Sequence, residues 1–234
     1  AVDQKVGLRL TLTTYNHQQL PDIFQFIRDR GIDRVCFYHL AYAGRGKDIA
    51  QADLSPEQRR RSVETIIHET RKSIDQGHDL EVLTVANPVD NAYIYKKMVR
   101  ENPERAEHVR RRLEWNGGGL NSSGTGIGSI DFYGRVHPNQ FWMNRTLGNV
   151  KDRPFSEIWT QSNEFLDQLR NRKDHLKEPC ESCELLDLCG GGLRLRAETT
   201  DDLWDRDPSC YLTEAERTNL RHLEEPPSPY SRVG

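Results

Sequence analysis

Four of the five cysteines in this 234-residue chain, Cys180, Cys183, Cys189 and Cys210, fall within one short stretch near its end. Two residues separate the first pair, five lie between Cys183 and Cys189, and twenty lie between Cys189 and Cys210. Thiolates are soft donors suited to zinc or to iron–sulfur clusters, and a pair with two intervening residues lets neighbouring thiolates reach one metal centre from a single turn. Structural zinc commonly takes two such pairs, and only one exists here. Gly190, Gly191 and Gly192 follow the third cysteine directly; glycines there let backbone N–H groups come close enough to bond cluster sulfides. Spacing alone leaves open a 4Fe–4S cluster, a zinc ion, or four reduced cysteines with no ligand. An odd count clustered in this way fits a disulfide framework poorly and a cytosolic metal site better, so a cytoplasmic location is expected.

The elements that must position these residues form two groups. Gly7 to Tyr15 reads as a strand in which Leu8, Leu10 and Leu12 alternate with Arg9, Thr11 and Thr13. A helix follows, with Pro21 near its start and Gly31 as its stop. Arg34 to Leu40 is a second strand, and Ala43 to Lys47 a Gly-rich loop. Ser55, Pro56 and Gln58 spell a capping box for a long helix whose expected buried stripe is Val63, Ile66, Ile67, Thr70 and Ile74. Leu80 to Val85 is a third strand. Alternating strands and helices imply an α/β fold with parallel strands and helical crossovers. Two helices, Asp90 to Arg100 and Pro103 to Glu114, then lead to a texture change at Asn116. Beyond it come a Gly-, Ser- and Asn-rich loop, a hairpin turning at Tyr133-Gly134, two short helices near Phe155 to Thr160 and Asn163 to Arg172, and the cysteines. The expected divisions are 1–115, 116–223 and a flexible Pro- and Ser-rich tail, 224–234.

Other candidates are weaker. If the leucines of the first strand pack on helices, Arg9, Thr11 and Thr13 face a cavity and could bind a cofactor there; a half-exposed strand is the plainer reading. Tyr42, Arg45 and Lys47 lie where they could pair with substrate carboxylates. His39 and His137 could face a ligand or be satisfied by a protein hydrogen bond. Cys36, inside a strand, reads as a small buried hydrophobe. The arginines of the helix after Asn102 read as a solvated face, with an anion-binding lid as the alternative. A formal net charge of −3 argues against a nucleic-acid or anionic-membrane binder, and no apolar run approaches the roughly 18 residues of a spanning helix.

Three pieces in order, SIDFYGRVHP, LGNVKDRPFSEIW and CESCELLDLCGGGLRLRA, resemble the SPASM/twitch extension of radical SAM enzymes. VGLRLTLTTYN and RVCFYHLAYAGRG are similar to the fifth and sixth strands of the partial (β/α)6 radical SAM barrel. Within that superfamily the GRG loop, the NGGGLNSSGTGIGSIDFYGRVHPNQFW segment and the cysteine spacing look most like the radical SAM enzymes of heme d1 biosynthesis. The resemblance implies the C-terminal part of the barrel followed by a β-hairpin and short helices around an auxiliary 4Fe–4S cluster on Cys180, Cys183, Cys189 and Cys210. It further implies S-adenosylmethionine (SAM), a second 4Fe–4S cluster, an electron donor such as flavodoxin or ferredoxin, and removal of propionates from didecarboxysiroheme by a 5′-deoxyadenosyl radical. Kindred enzymes acting on coproheme or siroheme, and peptide maturases, share much of this pattern. A zinc-stabilised interaction module is the rival of another class. The C-x3-C-x2-C loop that would hold the SAM-binding cluster is absent from these residues, as are the first four barrel strands, and the missing Met suggests a fragment. The chain alone is therefore expected to form no 5′-deoxyadenosine from SAM, in an assay against a cluster-free control.

Overall fold

A computed structural model describes residues 5–224 except Asn121 and Ser162; most of the tail expected to be flexible lies outside the described residues. Three parallel strands, β1 (Gly7–Thr11), β2 (Arg34–Tyr38) and β3 (Glu81–Val85), pair in the order β1-β2-β3. Arg9 lies opposite Cys36, and Cys36 opposite Leu83. The crossovers are α1 (Leu20–Arg30) and α2 (Pro56–Asp75). Period-two alternation sends Leu8, Leu10, Val35, Phe37 and Val82 to the helix side. There they meet Leu20, Phe24, Ile27 and Ile66 in one core. The opposite face of the sheet carries Arg9, Thr11, Cys36 and Tyr38, as the alternating leucines require.

The capping box of α2 forms as expected: the Ser55 side chain accepts from Gln58 N at 3.2 Å and the Gln58 side chain accepts from Ser55 N at 3.0 Å. The buried stripe of α2 departs from the expected one at its end. Ile74 is 57% exposed, whereas Ser73 is fully buried. Arg28 of α1 reaches across to Glu69 at 2.9 Å and Ser73 at 3.2 Å, so a polar bridge turns the last turn of α2 and swings Ile74 outward. The first strand also stops short of Tyr15, because Asn16 folds back onto Thr13 N and Thr11 O. The expected Gly-rich loop winds into 3-10 turns over Gly44–Ala52.

Helices α3 (Val89–Glu101) and α4 (Pro103–Trp115) follow β3, the second capped by Asn102 through Arg105 N at 3.1 Å. Beyond them a small antiparallel sheet forms from β4 (Ser129–Ile130), β5 (Arg135–His137) and β6 (Gly148–Asn149). The third strand of this sheet is the Gly148-Asn149 pair. Gly128 packs under the Trp159 ring, where a Cβ would sit 2.7 Å from it; this explains why the hairpin and helix α5 (Phe155–Thr160) travel together. Short helices α6 (Glu164–Arg170), α7 (Leu186–Cys189), α8 (Arg194–Ala197) and α9 (Glu214–Thr218) complete the chain.

The core does not respect a division at residue 115. Val63 of α2 and Ala92, Tyr93 and Tyr95 of α3 share one apolar cluster with Leu185, Leu188, Cys189, Tyr211 and Leu212. Ion pairs seal the same junction. Arg60 grips Glu216 of α9 through two bonds of 2.9 and 2.7 Å, both side chains buried. Burial opposes ionisation of Glu216, but the Arg60 bonds hold its carboxyl below the ordinary glutamate range. A depressed folded pKa gives stability that is present above the unfolded value and is lost as pH falls through the folded one. Arg60→Met is expected to cost about 3–5 kcal/mol at neutral pH, since it strands a buried carboxylate. It should also flatten the loss of stability on acidification below pH 4.5; urea titrations across pH measure both.

Candidate metal centre

The four clustered cysteines come from three pieces of backbone. Cys180 and Cys183 lie on consecutive turns before α7, Cys189 ends α7, and Cys210 precedes the irregular segment that leads into α9. All four carry free thiols; Cys180 and Cys189 are buried and the other two half-buried. Burial raises the pKa of each thiol, and three are raised further by other members of the set: Cys180 by Cys183, Cys189 by Cys210, Cys183 and Cys180, and Cys210, pushed up to about 11, by Cys180. Three of the four accept a backbone N–H from two residues on: Cys183 from Leu185, Cys189 from Gly191 and Cys210 from Leu212. Such N–H···S bonds stabilise thiolate over thiol and are among the means by which proteins tune iron–sulfur centres. Among the described residues, no three His, Cys, Asp or Glu converge at the spacing of a single bound ion. A four-iron cluster asks for a wider set, because each thiolate binds its own iron. The residues fit such a cluster in donor type, number, mutual coupling and N–H···S bonding.

The glycines around the site are there for close backbone approach. A Cβ on Gly119 would lie 2.2 Å from Cys189 O, and one on Gly190 would lie 2.6 Å from the Gly119 carbonyl carbon. The Gly117–Gly119 run and the turn after Cys189 therefore press backbone to backbone. Gly191 N–H bonds the Cys189 sulfur.

A buried aspartate organises the same turn. Asp207 takes Arg196 Nε at 2.9 Å on one oxygen and Arg196 Nη2 at 2.9 Å on the other. It also accepts from Leu193 N at 2.6 Å and Ser209 N at 2.8 Å. Arg196 reaches onward to Leu40 O at 3.0 Å, at the end of β2. Although burial opposes ionisation, Arg196 holds Asp207 below the usual carboxylate range. One arginine thus ties the cysteine turn, the loop before Cys210 and the parallel sheet together. A second polar string runs beside it. Asp90 of α3 accepts from His39 Nε2 at 2.8 Å and from the Tyr211 hydroxyl at 2.9 Å, so the residue after Cys210 is anchored to the sheet end through a carboxylate. Sequence reasoning missed Asp207, Arg196, Asp90 and Tyr211. Only the Asp207-Pro208-Ser209 turn signal directly before Cys210 could have pointed to one of them.

The other candidates are scattered. Arg9 and Thr11 are exposed on the free sheet face, with Arg9 over the Tyr38 ring at 5.8 Å; Thr13 is buried in the turn after β1. Tyr42 donates its hydroxyl to Asp53 at 2.7 Å and lines a cavity of about 420 Å³ with Lys47, Ala50 and Thr199. Arg45 is exposed. His137 is fully buried, with its Nδ1 at 2.8 Å from Arg145 O and its Nε2 at 3.3 Å from Asp131; the structure spends it on holding the hairpin to the following loop. Cys36 is buried in the sheet.

Residues 124–184 match the SPASM iron–sulfur cluster-binding domain. The chain is 47% identical over 217 residues to an Fe-coproporphyrin III synthase of Methanosarcina barkeri, covering 91% of this chain and 54% of that protein. It is 40% identical over 215 residues to a pre-heme d1 synthase of Dinoroseobacter shibae, covering 91% of this chain and 53% of that protein. The chain therefore spans about half the length of the curated relatives it matches. Among solved structures, native anSMEcpe with bound AdoMet superposes with a TM-score of 0.60 at 16% identity, over 86% of this chain and 51% of that one. SuiB of Streptococcus suis, bound to its precursor peptide SuiA, superposes at 0.61 and 16%, over 90% and 45%. At such identities these two show the fold alone. The chain is a radical SAM sequence with a SPASM domain. Within that class the relatives it matches are named as heme-pathway synthases. No helix of the described residues is long and apolar enough to cross a membrane.

Anaerobic reconstitution is expected to give four iron and four sulfide per chain, the content of a single 4Fe–4S cluster, measured by chemical iron and sulfide analysis. Cys180→Ala and Cys183→Ala should lower iron content most, because each breaks the close pair. Cys210→Ala should leave three thiolates and an exchangeable iron, seen as an altered cluster spectrum. Eight irons, or an unchanged Cys210→Ala spectrum, would contradict the assignment.

Proposed function

We propose that Cys180, Cys183, Cys189 and Cys210 hold an auxiliary 4Fe–4S cluster, and that the whole protein uses SAM to remove carboxylate-bearing side chains from a siroheme-derived iron tetrapyrrole in the cytoplasm. The observation that carries the first half is four buried or half-buried thiols, Cys180 and Cys183 inside the matched iron–sulfur domain and Cys189 and Cys210 beyond its last matched residue, with both Cys180 and Cys183 acting on Cys189. The tetrapyrrole follows from the relatives, whose names place both in heme synthesis. When bound, the cluster supplies a one-electron acceptor or relay, fed or drained by a donor such as flavodoxin or ferredoxin.

The chain's own residues supply the surroundings. Arg196 and Asp207 fix the cysteine turn against the strand ends, and ligands of α/β folds bind at the carboxyl ends of parallel strands. That end carries Tyr42, Arg45 and Lys47; the two cations are offered to substrate carboxylates, while the Tyr42 hydroxyl is held by Asp53. Arg9 and Thr11 line the sheet face on which SAM would lie.

Two products are consistent with this reading. Loss of propionates from didecarboxysiroheme is the heme d1 route implied by the motifs. The higher identity to the Fe-coproporphyrin III synthase, 47% against 40%, favours the alternative, a coproporphyrin-type product. Reduced whole protein given SAM and didecarboxysiroheme should consume the tetrapyrrole, and mass spectrometry of the pigment identifies which side chains leave. An untouched tetrapyrrole alongside a modified peptide would overturn the substrate class. A colourless protein containing zinc would overturn the cofactor.

A further inference from the structure

Three cations lie buried around the cysteines without a carboxylate of their own. Lys96 of α3 is 1% exposed and gives its ammonium to three backbone carbonyls, Glu216 O at 2.8 Å, Asn219 O at 2.7 Å and Leu220 O at 3.1 Å. Arg194 of α8 is 2% exposed and is held by Leu203 O at 2.9 Å, Asp205 O at 2.7 Å and Gly191 O, with its Nε left unpartnered. Arg217 of α9 is 9% exposed and donates to Leu212 O at 2.6 Å. Among the described residues none of the three makes a salt bridge. The carboxylates nearest this region are already engaged: Asp207 by Arg196, Glu216 by Arg60, and Glu184, on the surface, by Leu220 N.

Burying a cation without a counter-charge is costly, and three in one neighbourhood compound the cost. Asp207 acts on Arg194, and Glu216 and Glu184 act on Lys96, all three carboxylates being engaged elsewhere; the thiols come next as neighbours of these cations. Arg194 acts on Cys180, while Lys96 and Arg217 act on Cys183; exposed Arg206 adds to the field at Cys180 and Cys210. Four thiolates around a four-iron core carry net negative charge, and one more negative charge after reduction.

We propose that Lys96, Arg194 and Arg217 are the built-in counter-charges of this anionic centre, stabilising its reduced form and so raising its reduction potential. The inference rests on the cluster assignment above and adds the direction in which the protein biases it, toward accepting an electron. The cations come from both sides of the junction, Lys96 from the helix after β3 and Arg194 and Arg217 from the segment around the cysteines. Docking of the two parts therefore sets the potential as well as the fold.

The test is a redox titration of the reconstituted chain, monitored by electron paramagnetic resonance, comparing Lys96→Met, Arg217→Gln and Lys96→Arg. Lys96→Met and Arg217→Gln should each favour oxidation about tenfold, a fall of about 59 mV for one electron, with iron content retained. Lys96→Arg should restore the wild-type midpoint. If Lys96→Met loses the fold with its three carbonyl bonds, Arg217→Gln, which removes far less bonding, decides the matter. Variants that keep four irons and an unchanged midpoint would overturn the proposal. A wild-type chain that takes up no iron would overturn the cluster assignment itself.

Discussion

Cys183, Cys189 and Cys210 meet in the apolar junction between two halves of the chain, with Cys180 beside them in sequence, and a metal centre held there would join those halves. Burial lifts all four away from ionisation, and neighbouring cysteines make Cys180, Cys189 and Cys210 harder still to ionise. Left as thiols they pack as small hydrophobes. On the proposed cluster they would be thiolates on iron and would anchor the junction, a role that demands an ordered frame. The rest of the local structure follows from that demand: N–H groups aimed at sulfur, glycines that let two backbone runs touch, and buried cations held by carbonyls so that their charge stays available to the centre.

The same demand explains why the two halves share a core. Cys183, Cys189 and Cys210 pack with Tyr93 and Tyr95 of α3, and Tyr93 meets Tyr211 edge-on at 5.4 Å. Buried polar groups then fix the register of that packing. Asp90 takes Tyr211, Glu64 takes Lys97, Glu216 takes Arg60, and Asp207 takes Arg196. Each joins distant parts of the chain through a partner that would be costly to leave alone. A metal site at such a seam is positioned by rigid elements on both sides.

Much of this was legible in the sequence because it depends on local rules. The alternation of Leu8, Leu10 and Leu12 with polar residues, the Ser55-Gln58 cap and the cysteine spacing each report on neighbours in the chain. What stayed hidden depends on residues far apart. Ile74 fits the helical stripe, yet Arg28 decides its fate from another helix. His137 is a plausible ligand as an isolated residue, yet it lies folded under the hairpin. Arg194, Arg196 and Lys96 read as ordinary surface charges, since nothing in their local sequence announces burial. The polar frame of the site is written in long-range pairs, and periodicity does not see them.

The central claim is that one iron–sulfur cluster sits on these four cysteines. Anomalous diffraction at the iron edge from anaerobically grown crystals of the reconstituted chain tests it most directly. A single compact peak of four irons, with the sulfur atoms of Cys180, Cys183, Cys189 and Cys210 each bonded to a different iron, is the predicted result. Iron bound elsewhere, or a lone zinc ion at the cysteines, would contradict the account.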